Sequence, residues 1–155
     1  MNIRPANHQD KEQLALLNSE VHSVHVRLYP SVFREASLET MGEMVQQNLD
    51  DESTTILVAE EESLLIGYIV LRKQIRPENA FMRERSRGFI EQVCVSEEYR
   101  NRGVFRELLG SAKILVKEWG LDRIELDVWS DNQAAKDVFT HSGFRAYNEK
   151  MAIRI

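Results

Sequence analysis

Two apolar runs separated by a few polar residues constrain the fold most. TTILVAEE (Thr54–Glu61) reads as a strand, EES as a turn, and LLIGYIVLRK (Leu64–Lys73) as the partner strand of a hairpin. A sheet is therefore expected at the centre, and the flanking segments supply what covers it. Asn2 to Arg4 is a candidate short strand, stopped by Pro5. Leu14, Leu17, Val21 and Val24 follow at helical spacing, with Asp10 in the first turn and Pro30 beyond the end. SVFREASLETMGEMVQQNL is a second helical region, with Leu38, Met41, Val45 and Leu49 on one face. Gln74 to Arg87 is polar and reads as a loop or hairpin extension. GFIEQVCV, rich in β-branched residues, is another strand. A helix is expected from Val104 to Trp119, stopped by Gly120. RIELDVW alternates like a strand, SDNQAAKDVFTHSG is a short capped helix, and FRAYNEKMAIRI is a final strand or strand pair. The outline is β-α-α-β-β-β-α-β-α-β, a mixed sheet covered by helices.

Composition narrows the function classes. With 155 residues, 43% hydrophobic and 29% charged, the chain suits one globular domain spanning residues 1–155. A net charge of -5 argues against broad, sequence-independent nucleic-acid binding, though not against a local basic pocket. The single cysteine, Cys94, fits a reducing compartment. MNIRPANHQD lacks the apolar run of a secretory signal. The longest apolar stretch, LLIGYIVL, falls far short of the roughly 20 residues that cross a bilayer. The expectation is a cytoplasmic protein without nucleic-acid or membrane partners, either a monomer or a homodimer.

The most informative stretch is YRNRGVFRELL, Tyr99 to Leu109. Arg100, Arg102 and Arg106 crowd around Gly103 where a helix begins. The first N–H groups of a helix lack intrahelical acceptors and attract anions. Glycine lets a backbone approach a ligand closely. A bound phosphate fits this pattern, but neither G-x-x-x-x-G-K-[ST] nor G-x-G-x-x-G occurs, so a P-loop kinase or dinucleotide enzyme is disfavoured.

Here the chain resembles the GNAT superfamily of acyl-CoA-dependent N-acyltransferases. The family's pyrophosphate motif, [RQ]-x-x-G-x-[GA] after its fourth strand, matches Arg100-Asn101-Arg102-Gly103-Val104-Phe105. IRPANHQD resembles the family's first strand and helix start, VCVSEEYR its fourth strand and following loop, and LDVWSDNQAAKDVFTHSGF its fifth strand and next helix. The resemblance implies an α/β (α+β) GNAT fold with a central mixed, mostly antiparallel sheet flanked by helices. It implies acetyl-CoA as co-substrate, with no metal, and direct acetyl transfer to a primary amine of a small molecule or protein. Val93, Cys94 and Val95 would line the pantetheine, Arg100 through Arg106 the pyrophosphate, and Asn132 would contact the cofactor or simply cap its helix. Two positions depart from the pattern. Phe105 replaces the usual Gly or Ala, and Phe139 replaces a tyrosine that often protonates the leaving thiolate. Both departures favour the alternative of a non-catalytic acyl-CoA-binding module. A transferase for another acyl group is a third reading.

The chemistry directs attention to a base, because an alkylammonium of pKa about 10.4 is not nucleophilic until it loses a proton. Glu91, in IEQVCV, matches the place where several GNAT enzymes carry a base. Strict alternation puts it on one face with Val93 and Val95, which would desolvate it; the alternative is a solvent-facing or salt-bridged Glu at the sheet edge. Cys94 reads as a small buried apolar residue rather than a nucleophile. His22 and His25 are too few to argue for a metal. They lie near the end of the first helix; by the resemblance, the segment between the first two helices lines the acceptor site, so substrate contact by His22, His25 or Tyr29 stands beside plain packing. Arg76, Arg83, Arg85 and Arg87 read as a solvated loop or as a rim that selects anionic groups. Tyr147 and His141 are alternatives to water as proton donor to the thiolate.

Overall fold

The structure, a computed structural model, describes residues 1–155. Its strands are β1 (Asn2–Pro5), β2 (Thr54–Glu61), β3 (Leu64–Gln74), β4 (Arg87–Val95) and β5 (Ile124–Leu126). Its helices are α1 (Lys11–Leu28), α2 (Leu38–Asp50), α3 (Val104–Glu118) and α4 (Gln133–His141). Short 3-10 turns, His8–Asp10 and Glu97–Tyr99, precede α1 and α3. The sheet order is β1-β2-β3-β4-β5. The first four strands are antiparallel, and β5 runs parallel to β4. This is the mixed, mostly antiparallel sheet with flanking helices expected from the sequence.

β3 explains the long apolar run. Ile69 and Leu71 face α3, in a cluster with Leu108, Ala112 and Val116, while Tyr68 and Val70 face α1 and α2, with Leu14, Leu17 and Val45. A strand covered on both faces has no solvent side on which to place polar residues. Local chemistry sets the helix starts. The Asp10 carboxylate accepts from the Asn7 N–H (2.8 Å) and from both ends of the Arg4 guanidinium (2.8 and 2.9 Å). Arg4, and then the Asn7 N–H, hold the Asp10 carboxyl below its usual range although burial opposes them. The α2 region begins at Leu38 rather than Ser31. Ser37 Oγ accepts from the Thr40 N–H (3.1 Å), while Val32 and Phe33 both donate to the Tyr29 carbonyl in a turn.

Three further expectations are corrected. RIELDVW forms a strand only over Ile124–Leu126. FRAYNEKMAIRI forms no strand: after Phe144 N–H to the Phe139 carbonyl, no backbone bond is made, and residues 145–155 are all exposed. The third correction concerns β4. Ile90 lies opposite Leu71 and Gln92 opposite Val70, so Glu91 is an extra residue, a β-bulge. The bulge breaks the alternation: Ile90, Val93 and Val95 pack on the α3 side, whereas Gln92 and Cys94 face α1. Glu91 therefore does not share a face with Val93 and Val95; it reaches Arg72 instead.

α3 lies close on the sheet because glycines receive it. A Cβ on Gly88 would meet Val116 Cγ2 at 2.4 Å, and one on Gly67 would lie 3.2 Å from Val104 Cγ1 and 2.9 Å from the Cys94 carbonyl. Gly88→Ala is expected to destabilise the fold by about 1–3 kcal/mol through overpacking. Urea unfolding of Gly88→Ala, Val116→Ala and the double variant checks this. The double variant should be more stable than the sum of the single costs, because the shorter side chain removes the clash.

Candidate active site

The site is built where β4 and β5 part. They pair at Gly88↔Ile124, Phe89↔Glu125 and Ile90↔Leu126, and no further. From the Glu91 bulge to Val95, the edge of β4 away from β3 has no strand beside it. An extended ligand with amide groups can add to such an edge as another strand would.

The loop after β4 carries a second feature. Gly103 occupies the left-handed region, with φ 81°, and caps α3 without any side-chain hydrogen bond. None of the N–H groups of Arg102, Gly103, Val104, Phe105 and Arg106 donates to a protein acceptor; the first bonded one is Glu107 N–H, to the Gly103 carbonyl (3.2 Å). Consecutive free amides at the positive end of a 15-residue helix form an anion cradle. The three arginines differ in role. Arg100 Nε donates to the Val95 carbonyl (3.2 Å) and ties the loop to β4. Arg102 lies over the Tyr99 ring at 5.1 Å, and Arg106 pairs with Glu107 in solvent. Phe105 packs edge-on against Phe139 at 5.7 Å, and Phe139 against Phe144 at 5.9 Å. The bulky motif residue thus joins α3 to α4, leaving its backbone N–H to the loop. Asn132 caps α4, its Oδ1 accepting from the Ala135 N–H (3.2 Å).

On the α1 side of β4, Glu91 is held by Arg72, with Nε to Oε1 at 2.5 Å and Nη2 to Oε2 at 3.2 Å. Arg72 also reaches Asp51 and Ser53 at the end of α2. This is the salt-bridged glutamate of the sequence alternatives. Next to the bulge, Tyr68 OH donates to Gln92 Oε1 (2.8 Å), and Gln92 Nε2 to Asn18 Oδ1 (2.9 Å). Asn18 is 1% exposed and its Nδ2 has no partner. Cys94 is buried beside Tyr68, and burial pushes its thiol up to about 12, which removes the thiolate that nucleophilic chemistry requires.

His22, His25 and Tyr29 meet an aromatic wall. His25 stacks on Phe33 at 5.1 Å, and His22 meets Phe33 edge-on while its Nε2 contacts the Arg34 carbonyl (2.7 Å). Burial, reinforced by His22, lowers the pKa of His25 and favours its neutral ring. Trp129 closes the group, 4.6 Å from Tyr29 and 5.2 Å from Phe33, and Tyr29 OH accepts from the Asp131 N–H (2.9 Å). The wall links the α1–α2 loop to the β5–α4 loop. Sequence reasoning missed Phe33, Trp129, Asn18 and Gln92; the nearness of Phe33 to His22, His25 and Tyr29 in the sequence was the available signal for the first, and nothing local marked the other three.

Other candidates lie elsewhere. Arg87 is buried against Glu125 and Gln74 rather than in a solvated rim. Tyr147 OH donates to Glu125 Oε2 (2.6 Å) and accepts from Arg85 (3.3 Å). His141 Nδ1 contacts the Asp137 carbonyl (2.6 Å) at the exposed end of α4.

The family model for the acetyltransferase (GNAT) family matches residues 19–144, from the middle of α1 to the end of the aromatic stack. The chain belongs to the GNAT family. It is 36% identical over 59 residues to the chloroplastic GCN5-related N-acetyltransferase 7 of Arabidopsis thaliana, a match that covers 38% of this chain but spans only 22% of that relative's length. It is 30% identical over 101 residues to the L-amino acid N-acetyltransferase AaaT of Escherichia coli, covering 63% of this chain and 59% of that one. Among solved structures it is similar over the full length of both chains to a tetramutant of the BH1408 protein from Bacillus halodurans, at 29% identity and a TM-score of 0.95. No helix of this GNAT chain is long and apolar enough to cross a membrane.

Proposed function

We propose that this GNAT protein is an N-acetyltransferase that binds acetyl-CoA and passes the acetyl group directly to a primary amine. One observation carries the reading: the free amides of Arg102 to Arg106 adjoin the unpaired edge of β4, so an anion cradle continues into a strand-like edge. A ligand with a pyrophosphate at one end and an amide-bearing arm at the other fits both parts. The donor set matches the group. Backbone N–H groups and the Arg100, Arg102 and Arg106 side chains would hold the pyrophosphate, and the backbone of Val93, Cys94 and Val95 the pantetheine. Bound there, acetyl-CoA supplies a thioester as acyl donor.

The chain's own residues then hold the acceptor and manage its proton. The group of His25, Tyr29, Phe33 and Trp129, which joins the α1–α2 and β5–α4 loops, would contact the acceptor. The E. coli relative is named for L-amino acids, which supports a small-molecule amine. Glu91, at the bulge where the edge opens, takes the amine proton through water. Arg72 fixes the direction of its carboxylate, and each oxygen retains a lone pair for that water. Phe139 has no proton to give, and Tyr147 is committed to Glu125, so the departing thiolate takes its proton from water. The reading of a binding module without turnover rests on the same Phe139, and release of free thiol in the presence of amines separates the two.

Gly103→Asp and Gly103→Asn test the cradle. Both put a side chain at positive φ, where Asn and Asp are tolerated alike, and differ only in charge. Isothermal titration should show Gly103→Asp binding CoA at least about tenfold more weakly than Gly103→Asn, since a carboxylate opposes the phosphates at short range. Equal affinities would remove the pyrophosphate from this loop.

Glu91→Gln should reduce kcat by roughly 10²–10⁴-fold with CoA affinity unchanged. The deficit should narrow as pH rises and more amine is already neutral. Arg72 keeps Asp51 as a partner, so the variant should still fold. Near-parental activity at neutral pH would return Glu91 to a structural role.

A further inference from the structure

A polar chain runs between α1 and the sheet, and the reaction as derived so far does not use it. Tyr68 belongs to the buried cluster of Leu14, Leu17, Val70 and Cys94. Its OH donates to Gln92 Oε1 (2.8 Å), and Gln92 Nε2 donates to Asn18 Oδ1 (2.9 Å). Burial pushes the Tyr68 hydroxyl well above its usual range, so it remains a donor. The other end is left open: Asn18 is buried and its Nδ2 donates to no group. A half-satisfied polar chain is less stable than an apolar core of the same shape. Stability alone therefore does not account for it.

The chain decides which residue of β4 bulges. Ile90 and Val93 both pack on the α3 side, and Glu91 and Gln92 stand between them. Side chains alternate along a strand, so one of these two must turn to the α1 side and the other must be the extra residue. The apolar neighbours fit either choice. Tyr68 and Asn18 do not. Gln92 on the α1 side completes two hydrogen bonds, whereas a carboxylate there would be a charge in the core. With Gln92 held inside, Glu91 is left to the Arg72 guanidinium beside the open edge. Asn18 also ties this choice to the acceptor side. His22 and His25 follow it on α1 at i+4 and i+7, on one face of the helix.

We infer that Asn18, Gln92 and Tyr68 are positioning residues for acetyl transfer. Their two hydrogen bonds hold the bulge at Glu91 and so aim its carboxylate, while none of the three touches substrate or cofactor. The inference rests on the reading of Glu91 as the base. It gives the polar chain a role in rate and none in CoA affinity, which belongs to the backbone of Val93 to Val95 and of Arg102 to Arg106.

A double-mutant cycle on the full chain tests this. Gln92→Met removes both bonds at nearly constant volume. Thiol release from acetyl-CoA is followed with a panel of L-amino acids and alkylamines, and the best acceptor is used throughout. In Gln92→Met, kcat should fall by roughly 10–10²-fold with CoA affinity unchanged, the cost of a misplaced catalytic group. The deficit should narrow as pH rises, as it does in Glu91→Gln. In the Glu91→Gln background the same change should cost less than about twofold, because no base remains to be aimed. Tyr68→Phe removes one bond only; it should show the same pattern at a smaller size, and it carries the cycle if Gln92→Met does not fold. Parental kcat in both single variants, or their full loss repeated on top of Glu91→Gln, overturns the inference. A parent that releases no thiol with any amine of the panel, or Glu91→Gln with parental kcat, removes instead the base reading on which the inference rests.

Discussion

β5 stays beside β4 for three residues and then leaves it, and the candidate site depends on that parting. A sheet interior satisfies its own backbone groups, so a ligand has nothing to bind there. Ending the β4–β5 pairing at Ile90↔Leu126 exposes one edge of the most C-terminal part of β4 without exposing the core, because α1 and α3 still cover the two faces. The seating of α3 brings the second part of the candidate site to this edge. Val104 and Val116 rest where Gly67 and Gly88 have no side chains, which fixes the start of α3 at the open end of β4. The free amides and the free edge are thereby parts of one surface.

The bulge at Glu91 is the second organising element. An extra residue in β4 shifts everything after it to the opposite face. Ile90 and Val93 consequently share the α3 side, while Gln92 enters the buried chain with Asn18 and Tyr68. The bulge also delivers Glu91 to Arg72, which reaches on to Asp51 at the end of α2. Glu91 is thus anchored to two elements while lying beside the open edge, an arrangement that suits a positioned carboxylate better than a buried one. The cost of burying an unpaired charge is avoided.

Much of this was legible in the sequence, for physical reasons that differ by element. The hairpin and α3 announced themselves through strong apolar periodicity, and Gly103 with its arginines marked the cradle because few backbones need that glycine. The faces of β4 were not legible: a bulge is a pairing event between β3 and β4, and nothing local to IEQVCV encodes it. Strict alternation therefore misplaced Glu91 relative to Val93 and Val95. Arg87 looked like a loop residue beside Arg83 and Arg85, and only its register opposite Gln74 buries it near Glu125. The aromatic wall was half visible, since Tyr29 and Trp129 lie far apart in sequence and meet only through the fold. The last segment reads as a strand, but residues 145–155 make no backbone pairing.

The central claim is that one ligand spans the free edge of β4 and the start of α3. Backbone amide shifts of the ¹⁵N-labelled protein, followed through a CoA titration, test it most directly. The account predicts that the largest changes fall together on Val93 to Val95 and on Arg102 to Arg106, with one common dissociation constant. Changes confined to other elements, or different constants for the two stretches, would contradict it.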